Sequence, residues 1–250
     1  MNLKFQLLAF AVAGSLACSG SSAPVAAPAT EAPTTEAAVE LPRSVHWMRN
    51  SAEYRAILLQ TYAMATEELR AIIAGRERGT WAVALDADET VISNALYERE
   101  LTVAGRKSDA ATWRAWVARK DAEPLPGAKA FLQTVEQLGG YIAIVTNRSA
   151  TDCPDTEANF RKFDLPFDVM LCKEHDGEKE SRWESVENGT ASEQLPAVEI
   201  VMWVGDNIQD FPDHDQNLRH GDASQYSDFG RRYFIMPNPM YGSWQSNDHD

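Results

Sequence analysis

The 250-residue chain is 44% hydrophobic and 24% charged, enough apolar content for one large core or at most two small ones. Its 23 Lys and Arg against 37 Asp and Glu leave a net charge of −14, which repels nucleic-acid backbones and anionic membrane surfaces and excludes a nucleic-acid polymer as an expected partner. A small anionic ligand stays open, because local cations and metals, rather than net charge, set the field inside a cleft.

At the N-terminus, Lys4 precedes an apolar run from Phe5 to Val12 and then "AGSLACSG". The run is too short to span a bilayer and ends in small residues, so residues 1–18 read as a signal peptide. Leu16-Ala17-Cys18 resembles a bacterial lipobox, in which the Cys18 thiol is lipidated and becomes the new N-terminus; this is the reading adopted. Ser15 stands where an apolar residue is usual, so ordinary cleavage after Ala23 is the alternative. Residues 19–42, rich in Ala, Pro, Thr, Ser and Glu, carry no apolar periodicity that could offset the entropy of ordering them. A stalk on an exported, lipid-anchored protein is expected, at the outer membrane or otherwise in the periplasm or at the cell surface.

The folded domain is expected over residues 43–250. Tyr54, Ile57, Leu58, Tyr62, Ala65, Leu69, Ile72 and Ile73 recur at steps of three and four, which predicts an amphipathic helix over 51–74 closed by Gly75. Five apolar runs of strand length follow: "WAVAL" (81–85), "YIAIVT" (141–146), "FDVMLC" (167–172), "EIVMWV" (199–204) and "YFIM" (233–236). Most lack polar alternation, as strands buried on both faces do, and helical patterns such as "GAKAFLQTVEQLG" (127–139) separate several of them. An α/β fold with a Rossmann-like parallel sheet flanked by helices is the reading. There is no internal repeat.

In such a sheet the ligand lies beyond the carboxyl ends of the strands, and there the distinctive polar residues fall. The first run ends in Asp86, with Asp88 and Glu89 close behind; the second in Thr146-Asn147-Arg148; the fourth in Gly205-Asp206-Asn207. Lys173 and Lys179 follow the third. Carboxylates crowded together raise one another's pKa and imply a cation. With a hydroxyl and an ammonium nearby, the set suits a metal ion and a phosphoryl group. Any one of these Asp residues alone reads as a turn or cap residue, and Thr146 as an ordinary strand end; their joint placement carries the reading.

Asp86-x-Asp88-x-Thr90, Thr146, Lys179 and Gly205-Asp206-x-x-x-Asp210 resemble the four motifs of the haloacid dehalogenase superfamily of phosphotransferases. More closely, "SAEYRA", "DADET", "PLPGA", "IVTNR", "VGDNIQDF" and "IMPNPMYGSW" resemble the bacterial class C acid phosphatases, commonly outer-membrane lipoproteins, over residues 44–245. Ala87 replaces a more usual aliphatic residue such as Leu, with its side chain expected to point away from the pocket. The resemblance implies Asp86 as nucleophile of an aspartyl phosphate and Asp88 as the acid, then base. It also implies Mg²⁺ held by Asp86, the Asp88 backbone carbonyl and Asp206, with Asp210 orienting the metal site from behind. Thr146 is expected to donate to a phosphoryl oxygen and Lys179 to stabilise charge during transfer. Lys179 is preferred over Lys173 because "KESR" matches the family's Lys-Glu-x-Arg pattern.

Asn147 and Arg148 are expected beside the substrate. A small, mostly helical cap is expected after the first motif strand, over about 91–126. Within it Trp113 and Trp116, three apart, read by default as helix core; the resemblance instead nominates Trp113, with Tyr241, to sandwich a nucleobase. His46, where the family has an apolar residue, is read as structural. "RHG" at 219–221 matches the start of the histidine phosphatase motif, yet it sits late, in a polar run with no preceding strand, and reads as a surface loop. With Cys18 lipidated, Cys153 and Cys172 remain as an even pair, suited to a disulfide in an oxidising compartment or else to two buried thiols.

The expected function is Mg²⁺-dependent hydrolysis of phosphomonoesters, with nucleoside 5′-monophosphates favoured. The alternatives are phosphoryl transfer to another acceptor by the same residues, or a non-catalytic surface lipoprotein binding nucleotides or a partner on the same scaffold.

Overall fold

The computed structural model describes residues 39–175 and 177–249; the signal peptide, Cys18 and all of the stalk before residue 39 lie outside these residues. A short helix not anticipated from the sequence opens the domain: α1 (Arg43–Asn50) buries Val45 and Met48 and leaves His46 exposed, 3.3 Å from the Asn50 amide. His46 therefore lies on the solvent face rather than in the packing. In α2 (Ala52–Ile72) the Ser51 hydroxyl caps the first turn by accepting from the Tyr54 N–H, and Tyr54, Leu58, Tyr62, Ala65 and Leu69 form the buried stripe.

Strand β1 (Trp81–Leu85) leads into an insertion of β2 (Ile92–Ser93), α3 (Ala95–Val103), α4 (Ala110–Arg119) and β3 (Glu123–Pro124). The antiparallel pairing of β2 with β3 closes the neck of this helical cap. The chain continues through α5 (Ala128–Leu138), β4 (Tyr141–Ser149), α6 (Cys153–Lys162), β5 (Val169–Lys173), α7 (Glu180–Glu187), β6 (Glu199–Gly205) and β7 (Tyr233–Ile235). All five long strands pair in parallel, in the order β5-β4-β1-β6-β7. The chain thus winds outward from β1 to one side and then returns to the other, leaving a crevice at the carboxyl edge around β1.

Side-chain alternation along β1 divides the core. Trp81, Val83 and Leu85 face the larger layer with α2 and α5, while Ala82 and Ala84 face the smaller one with Trp183 and Val186 of α7. Both faces are covered, which is why the strand sequences lack polar alternation. A bulge shifts the β1–β6 register between Ala82 and Val83, placing Val201 and Met202 together in the larger layer.

Two strand ends differ from the sequence reading. β5 begins at Val169 rather than residue 167, because the Asp168 side chain accepts from the Ile142 N–H at 2.7 Å in place of a ladder bond. β4 runs on to Ser149, which pairs with Lys173 after a register shift, so Asn147 and Arg148 lie on a strand extension rather than a loop.

Cys153, the first residue of α6, is disulfide-bonded to Cys172 in β5, with 6.0 Å between Cα atoms. Closing a loop of this length (19 residues apart) restricts the unfolded chain by about 3 kcal/mol. Replacing both residues, Cys153→Ala with Cys172→Ala, is expected to lower unfolding stability by about that amount in urea denaturation. A midpoint unchanged from wild type would show that the bridge does not stabilise the fold.

Candidate active site

The peptide that leaves β1 is held from three directions. Asp86 prolongs the ladder by donating its N–H to the Val204 carbonyl at 3.0 Å. Ala87 turns into the core, and its carbonyl accepts from both Val91 and Ile92, so the chain reverses at once. Glu89 adopts a left-handed backbone, φ 48°, at that reversal. From α2, the Tyr62 hydroxyl donates to the Thr90 carbonyl at 2.6 Å, and Thr90 in turn donates to Asp206 at 3.3 Å.

Carboxylate oxygens of Asp86, Asp206 and Asp210 lie within 4.8 Å of one another. The Lys179 ammonium, 3% exposed, sits 2.6 Å from Asp86 and 2.7 Å from Asp210. Asp210 reaches the cluster because Gly205 has no side chain: a Cβ there would lie 2.2 Å from the Asp210 Cβ. The other Asp210 oxygen accepts from the Asn207 N–H at 2.9 Å, so both its oxygens are engaged. Asp206 accepts from the Asn238 amide at 2.8 Å. Burial, assisted by Asp210 and Asp88, pushes Asp86 up to about 7 against the pull of Lys179. Burial and then Asp210 and Asp86 hold Asp206 well above the ordinary carboxylate range. For Lys179, burial acts downward, but Asp210 and Asp86 outweigh it and its pKa ends above the usual lysine value. Three hard oxygens that resist ionisation together are a donor set that fits a divalent cation.

Asp88 faces a different set of partners. The Arg148 guanidinium grips it through Nε at 3.0 and 3.1 Å and Nη2 at 2.7 Å, and Asn94 donates to it at 2.7 Å. Arg148, expected beside the substrate, is 3% exposed and also donates to Thr156; its charge is committed to Asp88. Burial would lower its pKa, but Asp88 raises it further still. Glu89 is fully buried against Asn94, and burial followed by the charge of Asp88 pushes it up to about 8.

These groups open into a cleft of about 530 Å³, whose lining includes Asp86, Asp88, Asn147, Arg148, Lys179, Asp206, Asp210, Trp113 and Tyr241. The structure thus brings together every residue nominated for the cleft except Thr146. Thr146 is fully buried beneath the floor, where its hydroxyl accepts from the Arg148 N–H. Asn147 is oriented by Arg182, which donates to its side-chain oxygen at 2.7 Å and to the backbone carbonyls of Thr146, Leu171, Gly177 and Glu178. Lys173 ends β5 opposite Ser149 and is not among the described lining residues. Trp113 packs edge-on against Tyr97 and lies over the Arg148 guanidinium at 5.2 Å. Arg219 and His220 of the "RHG" stretch are exposed on a surface turn. Sequence reasoning missed Asn94, Asn238 and Arg182; Arg182 carried a motif signal in "KESR" and Asn238 one in "IMPNPMYGSW", while Asn94 carried none.

The family pattern described as HAD superfamily, subfamily IIIB (acid phosphatase) matches residues 9–244. Among solved structures, the class C acid phosphatase from Bacillus anthracis is similar, with a TM-score of 0.73 and 28% identity over 81% of this chain and 85% of that one. A tungstate-bound structure of class C acid phosphatase from the same organism gives a TM-score of 0.72 and 27% identity over the same shares. With the pattern running through all four strand tips that build the cleft, this chain belongs to the acid phosphatases of the haloacid dehalogenase superfamily, subfamily IIIB, and is a phosphomonoesterase.

Proposed function

We propose that the enzyme hydrolyses phosphomonoesters through an aspartyl phosphate on Asp86, with Mg²⁺ as its metal and nucleoside 5′-monophosphates as favoured substrates. The observation that carries this reading is Asp86 at the floor of the cleft, 2.6 Å from a buried lysine and clustered with Asp206 and Asp210. An oxyanion, tungstate, bound to the related Bacillus anthracis enzyme supports a tetrahedral anion as ligand.

In this reading a carboxylate oxygen of Asp86 attacks phosphorus, and Asp88 gives its proton to the ester oxygen as the alcohol departs. Asp88 then takes a proton from the water that attacks the aspartyl phosphate, and Asp86 is released. Lys179 and the Asn147 amide hold phosphoryl oxygens, and Thr146, buried beneath the floor, supports them by accepting from the Arg148 N–H. Asp86, Asp206 and the Asp88 backbone carbonyl would hold Mg²⁺, which would supply the positive charge that lets an anionic ester approach an anionic nucleophile.

Asp86→Asn keeps the volume and removes the nucleophile. Its kcat for phosphate release is expected to fall by about five orders of magnitude, with an unchanged circular-dichroism spectrum. A variant retaining a tenth of the activity rules out covalent catalysis by Asp86.

Without metal, the raised values of Asp86 (about 7) and Glu89 (about 8) mean that the folded protein keeps protons the unfolded chain has released. Their contribution to stability is full below about pH 4 and is lost as pH rises through those values. The Tm of EDTA-treated protein is therefore expected to fall between about pH 5 and pH 8. Mg²⁺ should restore it, with the larger gain at the higher pH, where the carboxylates are ionised. Equal gains at both pH values would contradict a metal site built from these groups.

Trp113 and Tyr241 line the same cleft and present the aromatic surface for a base. Trp113→Ala or Tyr241→Ala is expected to lower kcat/KM for a nucleoside 5′-monophosphate by about fivefold or more, and to lower it less for glycerol phosphate, which has no base. Equal losses on both esters would leave these aromatics a structural role only.

A further inference from the structure

Asn94 is fully buried, belongs to none of the four motifs, and yet joins nearly every group around Asp88. Its side-chain oxygen accepts from Trp116 Nε1 at 2.7 Å and Arg148 Nη2 at 3.3 Å. Its amide nitrogen donates to Asp88 Oδ1 at 2.7 Å and Glu89 Oε2 at 2.9 Å, with the Tyr241 hydroxyl at 3.3 Å. Indole and guanidinium nitrogens only donate, so the Asn94 atom that faces Trp116 and Arg148 is the oxygen and the nitrogen is turned to the carboxylates. One orientation of the amide alone satisfies both ends, so the chemistry of the partners fixes which atom is oxygen. Glu89 anchors the residue a second time by accepting from the Asn94 backbone N–H at 2.6 Å.

The consequence for Asp88 is an asymmetry between its oxygens. Oδ1 takes Asn94 Nδ2, Arg148 Nη2 at 2.7 Å and Arg148 Nε at 3.0 Å; Oδ2 takes Arg148 Nε at 3.1 Å. Oδ1 has no lone pair left for a proton, and it stays an acceptor whether Asp88 is ionised or not. We infer that Asn94 is a positioning residue for the acid step: with Arg148 it saturates Oδ1, so that Oδ2 carries the transferable proton and faces the leaving oxygen, and Trp116 ties this arrangement to cap helix α4. The inference rests on the reading of Asp88 as the acid. In the step itself the Asp86 oxygen–phosphorus bond forms, the phosphorus–ester oxygen bond breaks with its electron pair on that oxygen, and the proton moves to it from Asp88 Oδ2.

A misplaced acid harms esters whose alcohol must be protonated to leave and spares those whose leaving group departs as a stable anion. The test is kcat/KM, which covers all steps up to departure of the alcohol, measured with Mg²⁺ on glycerol phosphate and on p-nitrophenyl phosphate, neither of which has a base to bind. General-acid assistance is worth about 10²–10⁴-fold, so Asn94→Ala is expected to lose on the order of 30-fold on glycerol phosphate and about threefold or less on p-nitrophenyl phosphate. Asp88→Asn should show the same pattern with larger amplitude. Trp116→Phe, which keeps both carboxylate contacts of Asn94 and removes one donor, should lose about threefold on glycerol phosphate alone; it decides the matter if Asn94→Ala does not fold. Equal losses on the two esters in the Asn94 or Trp116 variant, while Asp88→Asn discriminates between them, overturn the positioning role and leave the acid in place. Equal losses in Asp88→Asn itself overturn the acid assignment, and this inference with it.

Discussion

Crowding of like charge in a poorly solvated place is the constraint on which the rest of this molecule depends. Asp86, Asp206 and Asp210 are drawn within 4.8 Å of one another where burial already disfavours ionisation. Nothing in a hydrophobic core would select such a cluster, and isolated buried carboxylates neutralise rather than persist as charges. The surroundings are arranged to tolerate it: Lys179 is buried against two members, Asn238 and Thr90 donate to the third, and the Asn207 N–H faces Asp210. The parallel sheet serves this end, because the carboxyl edges of adjacent parallel strands bring residues far apart in sequence to one line. The cluster joins the tips of β1 and β6, and the helix α7 start brings the counter-charge.

A second charge centre lies beside the first and is kept separate from it. Asp88 follows Asp86 by two residues, but its side chain goes to Arg148 and Asn94 rather than to the lysine. Two carboxylates of almost identical sequence context therefore meet opposite conditions, one in an acidic cluster and the other against a guanidinium. Different environments for paired acids are how one site supports two chemical roles at a single pH. Ala87, buried between them, and the reversal that follows at the left-handed Glu89 divide the two environments.

Much of this was legible before the fold. The strands announced themselves as apolar runs because both faces of each are covered, and α2 did so through Tyr54, Leu58, Tyr62, Ala65 and Leu69 at helical spacing. The residues at the strand tips stood out because polar groups ended apolar runs. What escaped had no such contrast. Helix α1 is short and mostly polar, with only Val45 and Met48 buried, too few to show a period. Asn94 and Asn238 are single amides whose partners lie up to 147 and 32 residues away, so spacing could not mark them. Arg148 sat in a motif, yet its pairing with Asp88 across 60 residues is a property of the sheet register and not of either segment. The sequence likewise placed Asp210 near the metal site, but the reach of its side chain depends on the missing Cβ of Gly205.

Arg182 reaches widely behind the cleft, donating to four backbone carbonyls and to Asn147. Those carbonyls belong to β4, to β5 and to the connection that precedes Lys179, and Arg182 lies one turn along the helix from that lysine. One guanidinium thus fastens the segments carrying Thr146, Asn147 and Lys179 into a single block. In the proposed reaction, groups so fastened need not rearrange when charge moves on the ester, and a site that is spared reorganisation offers its dipoles at full strength from the outset. The stiffness of this corner is therefore itself a chemical property of the enzyme, lodged in a residue that stands outside the cleft lining.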